Sequence, residues 1–125
     1  MADLVYPKES YYLTGIFYSI QNQLGSTGKE KQYADAIEIV FKNSKDDYER
    51  EKEIILPFIG GEIGGNRVDF IFRKIILIDA KAKSYITRED YRQMIRYLEA
   101  SKLKLGIIVN FRGSKIQIKR VINLK

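Results

Sequence analysis

The stretch from Asn66 to Lys83, NRVDFIFRKIILIDAKAK, constrains this chain more than any other. Its two apolar runs flank Arg73-Lys74, a pattern that predicts two strands joined by a short turn. Within those runs stand Asp69, Asp79 and Lys81, at positions where a buried strand ordinarily carries no charge. Asp fits strand interiors poorly, and a buried carboxylate without a partner costs several kcal/mol or takes up a proton. Two such acids therefore need something that returns their lost solvation. A divalent cation would do so; a salt bridge between Asp79 and Lys81 at a strand end is the simpler alternative.

Side chains alternate along a strand, so Ile75, Leu77, Asp79 and Lys81 share one face and Ile76, Ile78 and Ala80 the other. Apolar residues on both faces predict a central, covered strand. Asp79 and Lys81 then lie roughly 6.5 to 7 Å apart at Cα near its C-terminal end. That spacing suits a carboxylate holding a metal with a lysine aimed at a nucleophile or phosphate beside it. A hairpin through Arg73-Lys74 can bring Asp69 next to Asp79.

Composition limits the chemistry. With no cysteine and no histidine among 125 residues, disulfides, thiolate zinc sites, cysteine nucleophiles and histidine bases are excluded. A metal held by oxygen alone points to Mg²⁺ or Mn²⁺. The length predicts one domain over residues 1–125, and neither a membrane-length apolar run nor a signal-peptide layout is present, so a cytoplasmic protein without a membrane partner is expected. The formal charge is +6, and residues 101–125 hold the surplus, with Lys102, Lys104, Arg112, Lys115, Lys119, Arg120 and Lys125 and no acid. A one-sided basic strip suits nucleic acid, and Lys115, Lys119 and Arg120 are the candidate contacts; a solubilising surface is the plain alternative.

Along the chain, residues 1–10 with Pro7 read as an extended leader. Tyr11 to Leu24 and Lys29 to Phe41 have helical apolar spacing. Glu30 shares the apolar stripe of the second helix, so it is either a ligand or a cap, and Thr27-x-x-Glu30 is a capping box in which Glu30 would accept the Thr27 backbone N–H. Glu53 to Ile59 reads as a strand, with Pro57 marking an edge or bulge. Gly60 to Gly65 lacks the residues of a phosphate-binding loop and reads as a hairpin loop. Thr87 to Ala100 opens with Thr87-x-x-Asp90 and forms a third helix; Gly106 to Phe111 and Ile116 to Ile122 are strands. The order α-α-β-β-β-α-β-β predicts an α/β fold, a mixed sheet flanked by helices. The aromatic residues have core spacing, with Tyr85, Tyr97 and Phe111 the candidates for contact with bases.

Asp69, nine residues, then Asp79-Ala80-Lys81 resembles the signature of the PD-(D/E)xK nuclease superfamily, an acid on one strand and acid-x-Lys on the next. With LGSTGKEKQY at 24–33, NRVDF at 66–70, LIDAK at 77–81, QMIRYL at 93–98, GIIVNF at 106–111 and IKRVI at 118–122, the chain is similar to its GxxExxY branch over almost its whole length. The glycine of that branch's first motif falls at Thr27, with Gly28 one place late, and Asp79 stands where glutamate is commoner. The resemblance implies a restriction-endonuclease-like core in which Glu30, Asp69 and Asp79 surround Mg²⁺, Lys81 stands beside it as a catalytic residue, and Gln93 supports the site from the adjacent helix.

Two functions follow as expectations. One is a Mg²⁺- or Mn²⁺-dependent nuclease acting on DNA in preference to RNA, as a monomer or a homodimer. The other is a catalytically silent nucleic-acid-binding or accessory protein that retains the fold.

Overall fold

The structure is a computed structural model and describes residues 5–125. Helices α1 (Pro7–Leu24) and α2 (Glu30–Asn43) precede a three-strand meander, β1 (Tyr48–Phe58), β2 (Gly61–Phe72) and β3 (Ile76–Lys81). Helix α3 (Arg88–Ser101) then crosses over to β4 (Leu105–Asn110), and β5 (Gln117–Ile122) closes the sheet. The strands lie in sequence order, with β3 and β4 parallel and every other pair antiparallel. A parallel pair needs a crossover, which α3 provides. Among the described residues no helix is long and apolar enough to cross a membrane.

The sheet is covered on both faces, as the doubly apolar runs require. Ile76, Ile78 and Ala80 of β3 pack under α1 and α2 with Leu13, Phe17, Tyr33, Ile37 and Phe41. Leu77, on the opposite face, meets Met94, Tyr97 and Leu98 of α3. Asp79 and Lys81 follow Leu77 at two-residue spacing, so they belong to the α3 face.

Four expectations need correction. Pro7 opens α1 instead of lying in an extended leader, because a helix leaves its first N–H groups unpaired and loses nothing to proline there; residues 1–4 of that leader lie outside the described residues. β1 begins at Tyr48, five residues early, since Arg50 is neutralised by Asp35 and Glu38 of α2 at 2.8 and 2.9 Å. The glycine run is mostly strand: Phe58 pairs with Gly61 across the turn at Ile59-Gly60, and a bulge between Ile54 and Leu56 takes up Gly65 at φ 94°. Pro57 sits on the edge strand, as its missing N–H demands. The fourth correction concerns Glu30. The helix begins at Glu30 itself, and Gln32, not Glu30, closes its N-terminus by accepting the Lys29 N–H at 2.8 Å.

Candidate active site

The hairpin that carries the acids turns at Arg73 and Lys74, both in the left-handed region at φ 52° and 62°. Neither residue favours that region, and the turn is held from outside. The Arg73 N–H donates to Asp47 O at 2.7 Å and its guanidinium meets Asp46 at 3.1 Å, stacked over Phe72 and Tyr12. Asp46 in turn accepts the Tyr12 hydroxyl at 2.6 Å.

From this turn β2 and β3 pair through Phe72↔Ile76, Ile71↔Leu77 and Phe70↔Ile78, and there the ladder stops. Asp69 and Asp79 occupy the next opposed position. Their carboxylates replace the missing ladder: Asp79 Oδ1 accepts the Asp69 N–H at 3.2 Å, and Asp69 Oδ2 accepts the Ala80 N–H at 2.7 Å. The acids thus have a hydrogen-bonded reason to be where they are, which the sequence did not suggest. Burial, and then the negative charge of Asp79, push the Asp69 carboxyl up to about 7.

Lys81 extends β3 beyond the opening, and its ammonium lies 3.0 Å from Asp79 Oδ2 and 4.0 Å from Asp90. Burial pulls its pKa down, but the charge and hydrogen bond of Asp79, with Glu30 and Asp90, outweigh this and leave it above the ordinary lysine value. Lys81 is therefore a cation at neutral pH. Asp90 closes the α3 capping box with Thr87 and also binds Lys83 at 2.8 Å. It combines a helix start with an anionic wall facing Lys81.

Glu30 reaches this end of the sheet through Tyr33. The Tyr33 ring stacks on Phe111 at 4.3 Å, and the Phe111 N–H donates to Lys81 O at 3.0 Å, just past β4. The Tyr33 hydroxyl donates to Gly25 O at 2.6 Å and accepts the Gly28 N–H at 3.0 Å, folding the α1–α2 loop over the ring. A Cβ at Gly28 would stand 3.1 Å from that ring, a tight contact that would make the ring give by a few tenths of an ångström. Glu30, one turn before Tyr33, shares a cavity of about 380 Å³ with Asp69, Arg50 and Arg67. Its side chain is exposed, yet the surrounding protein removes enough water to raise its pKa, with Lys81 opposing and Asp79 reinforcing the shift.

Two of the three expected ligands are thus adjacent and the third stands at the rim. Among the described residues no three acids form a preassembled metal cage. The donor set nevertheless fits a hard divalent cation: it is all oxygen, and Asp69 Oδ1 and both Glu30 oxygens accept no hydrogen bond among the described residues. Asp69, Asp79 and Glu30 are the residues that could hold one.

The remaining candidates are more scattered. Gln93 is half-buried one turn after Asp90 and lines a small cavity with it, without a hydrogen bond of its own. Lys115 is exposed in the turn before β5. Lys119 and Arg120 point to opposite faces of that strand: Lys119 lies over Tyr91 of α3, while Arg120 is tied to Ser10 and Val5 O at the start of α1. The three do not form one strip. Phe111 and Tyr97 are core residues, and Tyr85 is exposed. Sequence reasoning missed Asn110, fully buried opposite Lys81 in the parallel register, whose side chain holds Lys83 N–H and O at 3.1 and 2.8 Å. Its signal was a lone amide ending an apolar strand.

A family profile described as the PD-(D/E)XK nuclease superfamily matches residues 7–121. The chain belongs to the PD-(D/E)xK nuclease superfamily. The solved structure of the protein SSO0001 is similar in fold, with a TM-score of 0.58 and 23% sequence identity over 93% of this chain. This chain spans 55% of that one. No curated protein matches the sequence.

Proposed function

We propose that this PD-(D/E)xK protein is a metal-dependent nuclease of the GxxExxY branch that hydrolyses phosphodiesters in DNA. The observation that carries the reading is the pair Asp69 and Asp79 across the opened β2–β3 ladder, with a charged Lys81 beside it. Asp69, Asp79 and Glu30 would hold Mg²⁺ or Mn²⁺, which when bound supplies charge stabilisation to the phosphate and lowers the pKa of water.

The chain's own groups divide the remaining work. Asp69, its proton released to solvent, would be a full anionic ligand to such a cation. Lys81, kept cationic in the metal-free protein by Asp79, Glu30 and Asp90, is suited to hold a phosphate as a positive charge beside the acids. Asp90 and Asn110 hold Lys83 and the chain beyond β3, which fixes the direction in which Lys81 points. Gln93 stands where a polar side chain on α3 can support bound water.

A second reading rests on the Lys81–Asp79 ion pair, which neutralises one of the acids without a metal: the protein binds nucleic acid without turnover. Nicking of supercoiled plasmid in Mg²⁺, Mn²⁺ and EDTA separates the two. The nuclease reading expects metal-dependent nicking that falls about a hundredfold or more in Lys81→Met. Absence of nicking by the wild-type protein in either metal, or equal nicking by the variant, would overturn it.

A further inference from the structure

A groove of about 800 Å³ runs between the first turns of α3 and strand β5. Arg88, Tyr91 and Arg92 line it from α3, and Gln117, Lys119 and Arg120 from β5, with no acid among its lining residues. Arg88 and Lys119 form no ion pair among the described residues, and Arg92 is paired only with the exposed Glu89 on its own helix at 3.0 Å. Such an exposed pair opens at little cost. Arg120 is committed to the start of α1, so the free positive charge is that of Arg88, Lys119 and Arg92.

The groove is linked to Lys81 through one residue on each wall. Thr87, on its wall, accepts the Asp90 N–H and donates its own N–H to the Asp90 carboxylate, which lies 2.8 Å from Lys83 and 4.0 Å from Lys81. Gln117 accepts the Asn110 amide at 3.1 Å, and Asn110 stands opposite Lys81 in the sheet. An anion in the groove is therefore one side chain removed from Lys81 along either wall.

We propose that this groove holds the sugar-phosphate backbone of nucleic acid flanking the Asp69–Asp79 pair, with Arg88 and Lys119 as its phosphate contacts; the proposal rests on the nuclease reading for its choice of polyanion. Lys119 covers the Tyr91 ring at 5.6 Å, so the aromatic face serves the cation and is not open to a base. Recognition here is of phosphate and is independent of sequence. It differs from a general attraction to the basic C-terminal residues, because Arg88 and Arg92 lie outside that segment and Arg120 is spent internally.

The test is a salt titration of binding to a fluorescently labelled DNA duplex in EDTA, which prevents cleavage. Arg88→Glu with Lys119→Glu is compared with Lys102→Glu with Lys104→Glu, an equal charge change at the far end of α3 on exposed residues. Melting curves establish that both variants are folded. The groove variant should lose about two from the slope of log K against log salt, at roughly 0.9 per phosphate contact, and bind at least tenfold more weakly, while the control keeps the wild-type slope. An unchanged slope in the groove variant, an equal loss in the control, or no duplex binding by the wild type would overturn the proposal. If the wild-type protein still nicks plasmid in Mg²⁺ when the groove variant's slope is unchanged, the groove alone is wrong and the nuclease reading stands.

Discussion

Replacing Asp69 by Asn in metal-free protein should stabilise the fold, and the gain should grow with pH. In the folded chain the Asp69 carboxyl titrates at about 7 against an ordinary 3.8. The unfolded chain therefore releases this proton above about pH 4 while the folded chain keeps it, and stability falls as pH rises from about 4 to 7 and then levels off. At about 1.36 kcal/mol per pH unit the shift sets a ceiling near 4 kcal/mol, which partial solvent contact reduces to about 2 to 3. Asn retains an oxygen for the Ala80 N–H and offers an N–H to the Asp79 carboxylate, so the hydrogen bonding survives while the repulsion goes. For a chain of 125 residues this corresponds to about 10 °C in Tm at pH 8 and almost none near pH 4. Calorimetric melts in EDTA across that range measure it. Adding Mg²⁺ at pH 8 should raise the Tm of the wild type and leave the variant unmoved, since a ligand stabilises only the state that binds it. A wild-type Tm independent of pH between 5 and 8, or a variant that melts below wild type at pH 8 in EDTA, would refute the reasoning.

Two further substitutions address Glu30. Glu30→Gln should change stability by less than about 1 kcal/mol, because the residue neither caps α2 nor accepts a hydrogen bond and contributes only its interaction with the helix terminus. Calorimetric titration should show Mg²⁺ affinity down at least tenfold, about 1.4 kcal/mol; unaltered affinity would remove Glu30 from the site. Tyr33→Phe keeps the stacking on Phe111 but deletes the bonds to Gly25 and Gly28, so melts should show a loss of about 1 to 2.5 kcal/mol, and the loosened loop should weaken Mg²⁺ binding. Wild-type stability in that variant would mean the hydroxyl does not hold the loop.

The element order and the central strand were legible because Ile75 to Lys81 carries both its periodicity and its misplaced charges in seven residues. Asp69 and Asp79 were legible as neighbours because a short turn leaves few ways to arrange the strands around them, while their direct opposition follows from a three-residue loop, Arg73 to Ile75. What lies between distant elements was not. The strand read from Glu53 in fact starts at Tyr48, an extension that becomes intelligible only when Asp35 and Glu38 are brought alongside Arg50. Thr27-x-x-Glu30 satisfies the capping pattern, yet the Tyr33 hydroxyl holds the Gly28 N–H and the chain enters its helix two residues later than that box requires. Arg120 contributes to a basic segment in the sequence, and only the packing of α1 reveals its attachment to Ser10 and Val5. Strands also alternate, so neighbouring cations such as Lys119 and Arg120 part company once the sheet forms.

The turn at Arg73 and Lys74 has a consequence for the order of folding. The loop runs from Arg73 to Ile75, and a short hairpin ordinarily begins by itself when its turn residues favour the left-handed region, as Asn-Gly does. Here Arg73 and Lys74 both resist it, and what offsets that resistance comes from Tyr12, Asp46 and Asp47, some 26 to 61 positions before Arg73 in the chain. The hairpin has to wait for α1 and the α2–β1 loop to assemble, and its partner β4 arrives only across α3. On this ordering the carboxylates of Asp69 and Asp79 should meet late in folding, so that their mutual repulsion should bear on the native state.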